Sequence, residues 1–498
     1  MNRQRIKEAL DSMSEGLMRA AIAATTIATE FESPDVQPPV VVDPPKPPVE
    51  PPTPRKRIYG WNLGAQNHYE HGKIYNDALA FASRMVDIQW NNPYRPATID
   101  SDGVIVDGDS QTRIWFDARV HGPGSYFGEG TPREVVVPVG SRGLDDKSND
   151  NNFVDVKFSG NTRGMAYTFN WEGRAVNPNL IDKMNGVGVL RFMDLRRTNY
   201  DMIPPEASEH RLCCYQRQGQ GQFDLVHPTI TPEQAIEVAT ACGAAGIWWN
   251  VHFRETDQQV AEAMHVFAEK WAGELYVEWS NENWNAAIEG RWLQQTGERF
   301  GADDTKDWLP VYDYFRQRSN EVGKIAKSIV PGVCVVMGTQ SASTGVTDNQ
   351  TRGDLQYIDA LGIAPYFGHY LRWPDSTKKL LAATRAQVSE SLAQVEAQKT
   401  IADKLGKRLL CYEFGSHIWA KQKDIPPAEY QAMMEAVRSD EMAEIYGEFM
   451  DGWEQLSGDV ACCFTSCDDT SFAHYEFDTS EWQPRGKAVA DRMAVGVE

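Results

Sequence analysis

Short hydrophobic runs recur along the chain after Arg57, separated by segments in which apolar and polar residues are mixed. The runs are apolar almost throughout, which is typical of strands buried on both faces of a sheet. There are eight of them: RIYGWNLG (57–64), GVGVLRFMD (186–194), GIWWNVH (246–252), LYVEWSN (275–281), VCVVMGT (333–339), IDALGIAPYF (358–367), RLLCYEFG (408–415) and VACCFTS (460–466).

The segments between these runs carry apolar residues three and four positions apart, which predicts helices. Thr231 followed by Pro232 and Glu233 is a typical helix start. The other predicted helices contain Ile74, Ala78, Phe81 and Met85, then Val260, Met264, Phe267 and Trp271, and then residues around 311–329, over 376–405 and around 427–450. Strands that alternate with helices predict an α/β protein with a (β/α)₈ (TIM) barrel. A doubly wound sheet is the main alternative, but no Gly-rich phosphate loop supports it.

About a hundred residues between the first helix and the second strand have a different texture. TRIWFDARV, REVVVPVG, NFVDVKFSG and MAYTFNWEG are short, β-rich and separated by Gly, Asp, Asn and Ser. Val154, Val156 and Phe158 alternate with polar residues, as in a strand with one face in water. We therefore expect a β-sandwich at 96–174, inserted into a barrel formed by 57–95 and 175–498.

The residues before the barrel predict an attachment device. Residues 34–54 contain ten of the 27 prolines, which favours an extended polyproline II linker over 33–56. Residues 1–32 predict a helix with a heptad seam, and self-association as a homo-oligomer or docking on a larger assembly would both satisfy it. A weakly ordered amphipathic tail is the alternative. The seam residues are Ile6, Leu10, Met13, Leu17, Ala20, Ala24 and Ile27.

The composition of the chain disfavours several classes of binding partner. A net charge of −21 disfavours nucleic acid and anionic membranes. No apolar run reaches the length of about 20 residues that spans a bilayer, and Ala20–Ile27 is a poor signal-peptide core. The eight cysteines fit folding in a reducing, cytoplasm-like compartment, without a disulfide framework or a zinc site. Later export or attachment to a cell surface or virion stays open.

Polar residues stand at the carboxyl ends of the predicted strands, where the active site of a barrel enzyme lies. They are Arg191 and Asp194 on strand two, Asn250 and His252 on strand three, Asn281 and Glu282 on strand four, Tyr366 on strand six and Glu413 on strand seven. Two carboxylates on strands four and seven face each other across the barrel mouth, as glycoside hydrolysis requires. Flat surfaces for sugar rings are offered by Trp248, Trp249, Trp279, Trp284, Tyr412 and Trp419.

Two of these strand ends carry motifs of a known family. WSNENW resembles the strand-four motif of clan A retaining glycoside hydrolases, and YEFG resembles their strand-seven motif. Together with LRFMDLRRTN, WWNVHF and APYFG, these motifs are similar to a narrower group labelled cellulase-like or cellulose-binding. The resemblance covers residues 57–490 and includes the β-rich insertion.

The resemblance implies a role for each matching residue. Glu282 would be the acid/base and Glu413 the nucleophile, Asn281 would hold the sugar 2-hydroxyl, and Tyr366 would orient Glu413. Arg191 and His252 would line the floor of the cleft. The residues themselves leave alternatives open, since Arg191 also suits bracing Glu413 or Glu278, and His252 also suits a hydrogen-bonded core position. The clan's strand-eight Trp is not found in CCFTSCDD.

Two functions follow. The first is a retaining glycosidase that cuts within a polysaccharide by double displacement and needs neither a metal nor an organic cofactor. The second is a non-catalytic carbohydrate-binding protein, tethered to a larger assembly, which the missing strand-eight Trp favours. Asn250, Trp249, Trp284 and Trp419 complete the predicted sugar-binding set in either case.

Overall fold

The structure is a computed structural model that describes part of the chain in full. The fully described residues are 57–64, 74–75, 174–199, 229–282, 284, 309–369, 376–419, 425–467, 472–475 and 481–494. For nine further strands it describes the backbone. The predicted N-terminal helix (1–32) and the Pro-rich linker (33–56) lie outside the described residues.

Eight parallel strands close into a barrel, and helices connect them along the chain, so the predicted (β/α)₈ fold is confirmed. Each strand pairs with the next along the chain, and strand eight pairs back with strand one. Numbered one to eight in chain order, the strands are Tyr59–Asn62, Val189–Arg191, Gly246–Val251, Glu274–Trp279, Cys334–Gly338, Ala360–Ile363, Arg408–Phe414 and Ala461–Cys463. Seven of them lie within the predicted runs, and strand four begins one residue before its run, at Glu274.

Several helices of the described part begin at polar caps that the sequence carries. Thr231 and Thr256 each form a capping box, with Gln234 and Gln259 respectively, and Ser376 caps the longest helix. The helix bounds are Pro178–Met184, Pro232–Ala241, Asp257–Lys270, Leu309–Ile329, Thr344–Thr351, Thr377–Lys404, Pro427–Val437, Asp440–Leu456 and Pro484–Ala494.

The prediction of a single helix around 427–450 is wrong, because the chain forms two helices there. The first ends at Val437, and the Ser439 side chain accepts a hydrogen bond from the Met442 backbone N–H at the start of the second. A serine hydroxyl that caps a new helix competes with continuation of the old one.

The β-rich segment forms antiparallel sheets, and it begins earlier than predicted. Met85 lies in a strand that pairs with the strand containing Trp115, so the helix predicted through Met85 is wrong at that position. These strands also start before residue 96, the predicted boundary of the insertion. The strand bounds are Ala82–Gln89, Asn92–Pro96, Gln111–Asp117, Ser125–Gly128, Val135–Val136, Phe153–Ser159 and Tyr167–Thr168. That the sheets form a sandwich stays a prediction. A separate hairpin joins Tyr215–Arg217 to Asp224–Val226.

The core has two layers, one inside the barrel and one between the strands and the helices. Inside lie Trp248, Tyr276, Leu410 and Tyr412 among other buried side chains. The six cysteines of the described part are buried and form no disulfide with one another. Among the described residues, no helix combines the length and the apolar character needed to cross a membrane.

Candidate active site

The side chain of Arg191 is the centre of the polar interior of the barrel. Strand two brings it inward with no exposed surface. One terminal nitrogen, Nη1, lies 2.9 Å from Asn62 Oδ1 and 2.7 Å from Glu413 Oε1. The other, Nη2, lies 2.9 Å from both Glu278 Oε2 and Asn281 Oδ1. One guanidinium on strand two therefore joins the ends of strands one, four and seven.

Glu413 lies at the end of strand seven and is 5% exposed, so only the edge of its carboxylate is open to the cleft. Oε1 accepts from Arg191, and Oε2 accepts from the Tyr366 hydroxyl at 2.9 Å. The pairing of strands seven and eight shifts register between Cys411 and Phe414. Such irregularities re-aim side chains, and this one lets Tyr412 and Glu413, neighbours in sequence, both reach the Arg191 side of the barrel.

The environment of Glu413 favours the protonated carboxyl. Burial is the largest cause and raises its pKa to about 8; the Glu282 and Asp194 carboxylates also raise it, while Arg191 and the Tyr366 hydroxyl lower it. The carboxyl groups of Glu413 and Glu282 therefore sense each other's charge.

Glu282 stands where strand four leaves the barrel. The backbone there is left-handed at two non-glycine residues, Ser280 (φ 64°) and Glu282 (φ 40°). Non-glycine residues rarely adopt this region and cluster at functional sites when they do. The Tyr412 hydroxyl lies 3.5 Å from Glu282 Oε1, which places Glu282 above the interior residue that precedes Glu413.

Asn281 is buried, and both polar atoms of its side chain form hydrogen bonds. Its Oδ1 accepts from Arg191, and its Nδ2 donates to Asn199 Oδ1 at 3.3 Å. In the described structure it orients the Arg191 side chain as well as bordering the cleft.

Two predicted sugar-binding residues of strand three are held inside the protein. Asn250 is buried and donates to Glu278 Oε2 at 2.9 Å and to the Ser280 carbonyl at 3.0 Å. His252 is also fully buried, and its Nδ1 accepts from the Arg254 backbone N–H at 3.1 Å. Both side chains are buried in the structure, and sugar contact through either of them stays a prediction.

The structure does not bring Trp249 to the cleft. It is 1% exposed, packs edge-to-face on Phe267 of the helix outside strand three, and has the Arg196 guanidinium 4.2 Å from its ring. Trp279 likewise packs outside the barrel, against Tyr314 and Phe315. In a strand buried on both faces, apolar and polar residues do not alternate. The sequence therefore could not show whether these two rings face the inside or the outside of the barrel.

Trp284 and Trp419 are placed differently. Trp284 packs on the interior cluster with its ring 6.3 Å from that of Tyr412, close to Glu282. Trp419 follows strand seven and is 42% exposed, which is unusual for a tryptophan. Of the predicted tryptophans, these two have positions compatible with contact to a sugar.

An aromatic cluster beside Glu413 was missed at the sequence level. Phe464 follows strand eight, and its ring lies 6.4 Å from Tyr366. Phe472 lies 5.8 Å from Phe464, and His369 and His417 stack at 4.5 Å beside Tyr366. The signal was present for Phe464, since it lies within the predicted strand-eight run VACCFTS (460–466), but a search for Trp passes over it.

Both histidines of this cluster favour the neutral form. Burial lowers the pKa of His369 to about 4, with His417 adding to the effect, and burial also lowers the pKa of His417. Neutral imidazoles donate and accept hydrogen bonds, as sugar hydroxyls require.

Comparisons with known proteins give fold-level similarities only. No protein-family model and no curated protein matches the chain. Among solved structures, a GH51 arabinofuranosidase from Xanthomonas axonopodis pv. citri aligns at 12% identity and a TM-score of 0.46, over 74% of this chain and 69% of that one. The α-L-arabinofuranosidase of Thermotoga maritima aligns at 11% identity and a TM-score of 0.39, over 64% of this chain and 63% of that one.

Cel5A from Thermotoga maritima, solved with mannotriose, aligns at 12% identity and a TM-score of 0.35, over 66% of this chain and 92% of that one. The chain thus spans slightly less than two thirds of the Thermotoga arabinofuranosidase. These values are too low to transfer a substrate or a residue role to this chain.

Proposed function

We propose that the protein is a retaining glycoside hydrolase that cuts within a polysaccharide chain. Glu413 is the nucleophile and Glu282 the acid/base. The observation that carries the proposal is the pair of coupled carboxylates at the open end of the barrel, one braced by Arg191 and Tyr366 and the other beside Tyr412. Retention requires two such groups about 5–5.5 Å apart.

In the first step, a carboxylate oxygen of Glu413 attacks the anomeric carbon and the glycosidic C–O bond breaks. The leaving oxygen takes the proton of Glu282, which becomes a carboxylate. Arg191 and Tyr366 hold the two oxygens of Glu413 in fixed directions, so the attack needs no rearrangement of the nucleophile.

In the second step, the Glu282 carboxylate takes a proton from water. The water oxygen attacks the anomeric carbon, the bond to Glu413 breaks, and Glu413 leaves as a carboxylate. Two displacements at one carbon restore its original configuration.

The reactive form carries one proton, on Glu282. Since burial raises the pKa of Glu413, the nucleophile must lose its proton before it can attack. We therefore expect kcat/KM to rise through neutral pH and to fall again once Glu282 loses its proton.

Sugar contacts in this proposal come from the aromatic residues of the cleft. Phe464 takes the place of the strand-eight Trp, beside Glu413 and Tyr366. Trp284 and the exposed Trp419 offer further flat surfaces. Phenylalanine stacks on sugars without an N–H donor, so the missing Trp alters this contact without removing it.

The test is sugar release from β-glucans, xylans, mannans and bacterial exopolysaccharides by the unsubstituted protein and by Glu282→Gln and Glu413→Gln. Each substitution keeps the side-chain volume and removes one of the two mechanistic groups, so we expect kcat to fall by about 10⁴-fold or more. Azide should restore turnover to Glu413→Ala and give product of inverted configuration.

Glu255→Gln is the matched control, because Glu255 is a buried glutamate bound to Arg196 outside this pair. Full activity of Glu413→Gln would refute the assignment. A glycan that is bound but releases no sugar between about pH 4 and 8 would favour the alternative, a carbohydrate-binding protein on a glycosidase-like barrel.

A further inference from the structure

Glu278 is a second buried carboxylate on Arg191, and the proposed reaction does not use it. It lies on strand four, four residues before Glu282, and is 1% exposed. Its Oε2 accepts from Arg191 Nη2, from Trp248 Nε1 and from Asn250 Nδ2, each at 2.9 Å. Three donors from two neighbouring strands therefore converge on one carboxylate oxygen.

Glu278 has no route to a bound sugar. A Cβ atom at Gly338 would lie 3.1 Å from Glu278 Oε1, so the backbone of strand five closes the space above the carboxylate. Its other oxygen is engaged by three donors from strands two and three. Glu278 therefore acts on Glu413 through the guanidinium of Arg191, which binds both carboxylates.

The interior therefore holds one guanidinium for two carboxylates. The two ion pairs are 2.9 and 2.7 Å long, and the Arg191 side chain is fully buried. Screening by water and salt is weak at such a depth. A negative charge on Glu278 therefore offsets part of the attraction that Arg191 exerts on Glu413.

The other groups that face Glu413 come from every element packed around it. They are Asn62 on strand one, Asp194 after strand two, Glu282 after strand four, Tyr366 after strand six, Cys411 and Tyr412 on strand seven, and Cys462 on strand eight. Burial favours the neutral thiol at both cysteines, whose pKa it raises. Among the described residues, Arg191 is the cation that pairs with Glu413, and Arg197 adds its charge near Asp194.

We propose that Glu278 is a positioning residue that divides the charge of Arg191 between two carboxylates and so keeps Glu413 more basic than a carboxylate with a guanidinium of its own. The inference rests on the proposed function for its meaning in catalysis, but its electrostatic part stands without it. A nucleophile with higher proton affinity attacks more readily, and a fixed guanidinium holds that nucleophile in place.

The test reads the protonation of Glu413 directly. Infrared difference spectra between the unsubstituted protein and Glu413→Gln isolate the carboxyl band of Glu413, which is followed from about pH 3 to pH 10. The same spectra are taken for Glu278→Gln and for Glu278→Gln combined with Glu413→Gln. Glutamine at position 278 keeps the side-chain volume and an acceptor oxygen for the three donors. It removes the negative charge, so Glu413 becomes the one carboxylate paired with Arg191.

We expect the midpoint of Glu413 to fall by about one to two units in Glu278→Gln. The acidic limb of the kcat/KM profile should move by the same amount, a readout that a merely structural role would not shift in this direction. Glu255→Gln is the control, because it removes a buried carboxylate from Arg196 and leaves Arg191 untouched; it should leave the midpoint unchanged.

An unchanged or higher midpoint in Glu278→Gln would overturn the proposal. If that variant does not fold, a milder substitution at the same position decides. The unsubstituted protein is then compared with Glu278→Asp, whose shorter side chain draws the second carboxylate back from Arg191; the Glu413 midpoint should fall in that variant, and an unchanged or higher midpoint would overturn the proposal. A shifted midpoint in a protein that hydrolyses no glycan would sink the proposed function and leave the charge division standing.

Discussion

Arg191 and Arg196 are five residues apart, both buried and both paired with glutamate, yet they serve different parts of the molecule. Arg191 points into the barrel, where its two terminal nitrogens each meet a carboxylate, Glu413 and Glu278. Arg196 points out of the barrel onto the ring of Trp249. There it pairs with Glu255 and donates to the Ile230 carbonyl at 2.8 Å.

The difference lies in the number of carboxylates per guanidinium. At Arg196, the charges balance one to one and the remaining donors bind backbone oxygens, which ties the loops after strands two and three. At Arg191, two carboxyl groups share one guanidinium, and one of them, Glu413, lies at the open end of the barrel. Buried pairs of the first kind hold a structure together, and an unbalanced cluster prepares a group for proton chemistry.

The largest expected effect is a difference in the free energy of unfolding between variants of the two arginines. Arg196→Met breaks one buried pair and should lower the free energy of unfolding by about 3–5 kcal/mol, whereas Arg191→Met leaves two carboxylates without a cation and should exceed that loss. Urea denaturation at pH 7 measures both.

Arg385→Met is the control. Arg385 binds Glu441, Glu444 and Glu448 at the surface, so this substitution should lower the free energy of unfolding by no more than about 1 kcal/mol. Equal losses at all three positions would break the comparison.

A smaller effect is expected at Asp194, which lies between the two arginines in sequence. Burial raises its pKa to about 6, while Arg191 and Arg197 lower it. Because the folded state holds this proton more tightly than the unfolded chain, the stability it contributes is complete below about pH 4 and is lost as pH rises to about 6.

Asp194→Asn removes that dependence. The variant should be more stable than the unsubstituted protein above pH 6, by about 1–2 kcal/mol, and no different near pH 4. Thermal unfolding followed at a series of pH values measures the difference. A variant that loses stability at pH 7 would show that the ion pairs of Asp194 outweigh its burial.

The smallest expected effect is at Tyr366, which supplies Glu413 with its donor other than Arg191. The hydroxyl lowers the pKa of Glu413, so Tyr366→Phe should raise the Glu413 midpoint by up to about one unit. The infrared titration described above measures it. Tyr412→Phe removes a hydroxyl that reaches Glu282 instead and should move the Glu413 midpoint less. A lower midpoint in Tyr366→Phe would contradict the assignment of the donor.

The sequence predicted all eight barrel strands and their order, because strands buried on both faces form unbroken apolar runs bounded by polar turns. It also predicted that Arg191 braces a carboxylate and that Tyr366 approaches Glu413. It failed at Met85, where helical spacing of apolar residues coincides with a strand of a sheet completed by residues further along the chain. Spacing within a segment carries no information about such partners.

The tertiary structure alone decided which side chains face inward. Trp248 and Trp249 are equally apolar neighbours, and only closure of the barrel turns one onto Glu278 and the other onto Phe267. The register shift after Cys411, which brings Tyr412 and Glu413 to one side, depends on pairing with a strand about fifty residues away. The division of Arg191 between Glu413 and Glu278 joins three strands of the barrel. Local sequence therefore determined the strands and the chemistry they carry, and long-range packing determined which groups share a charge.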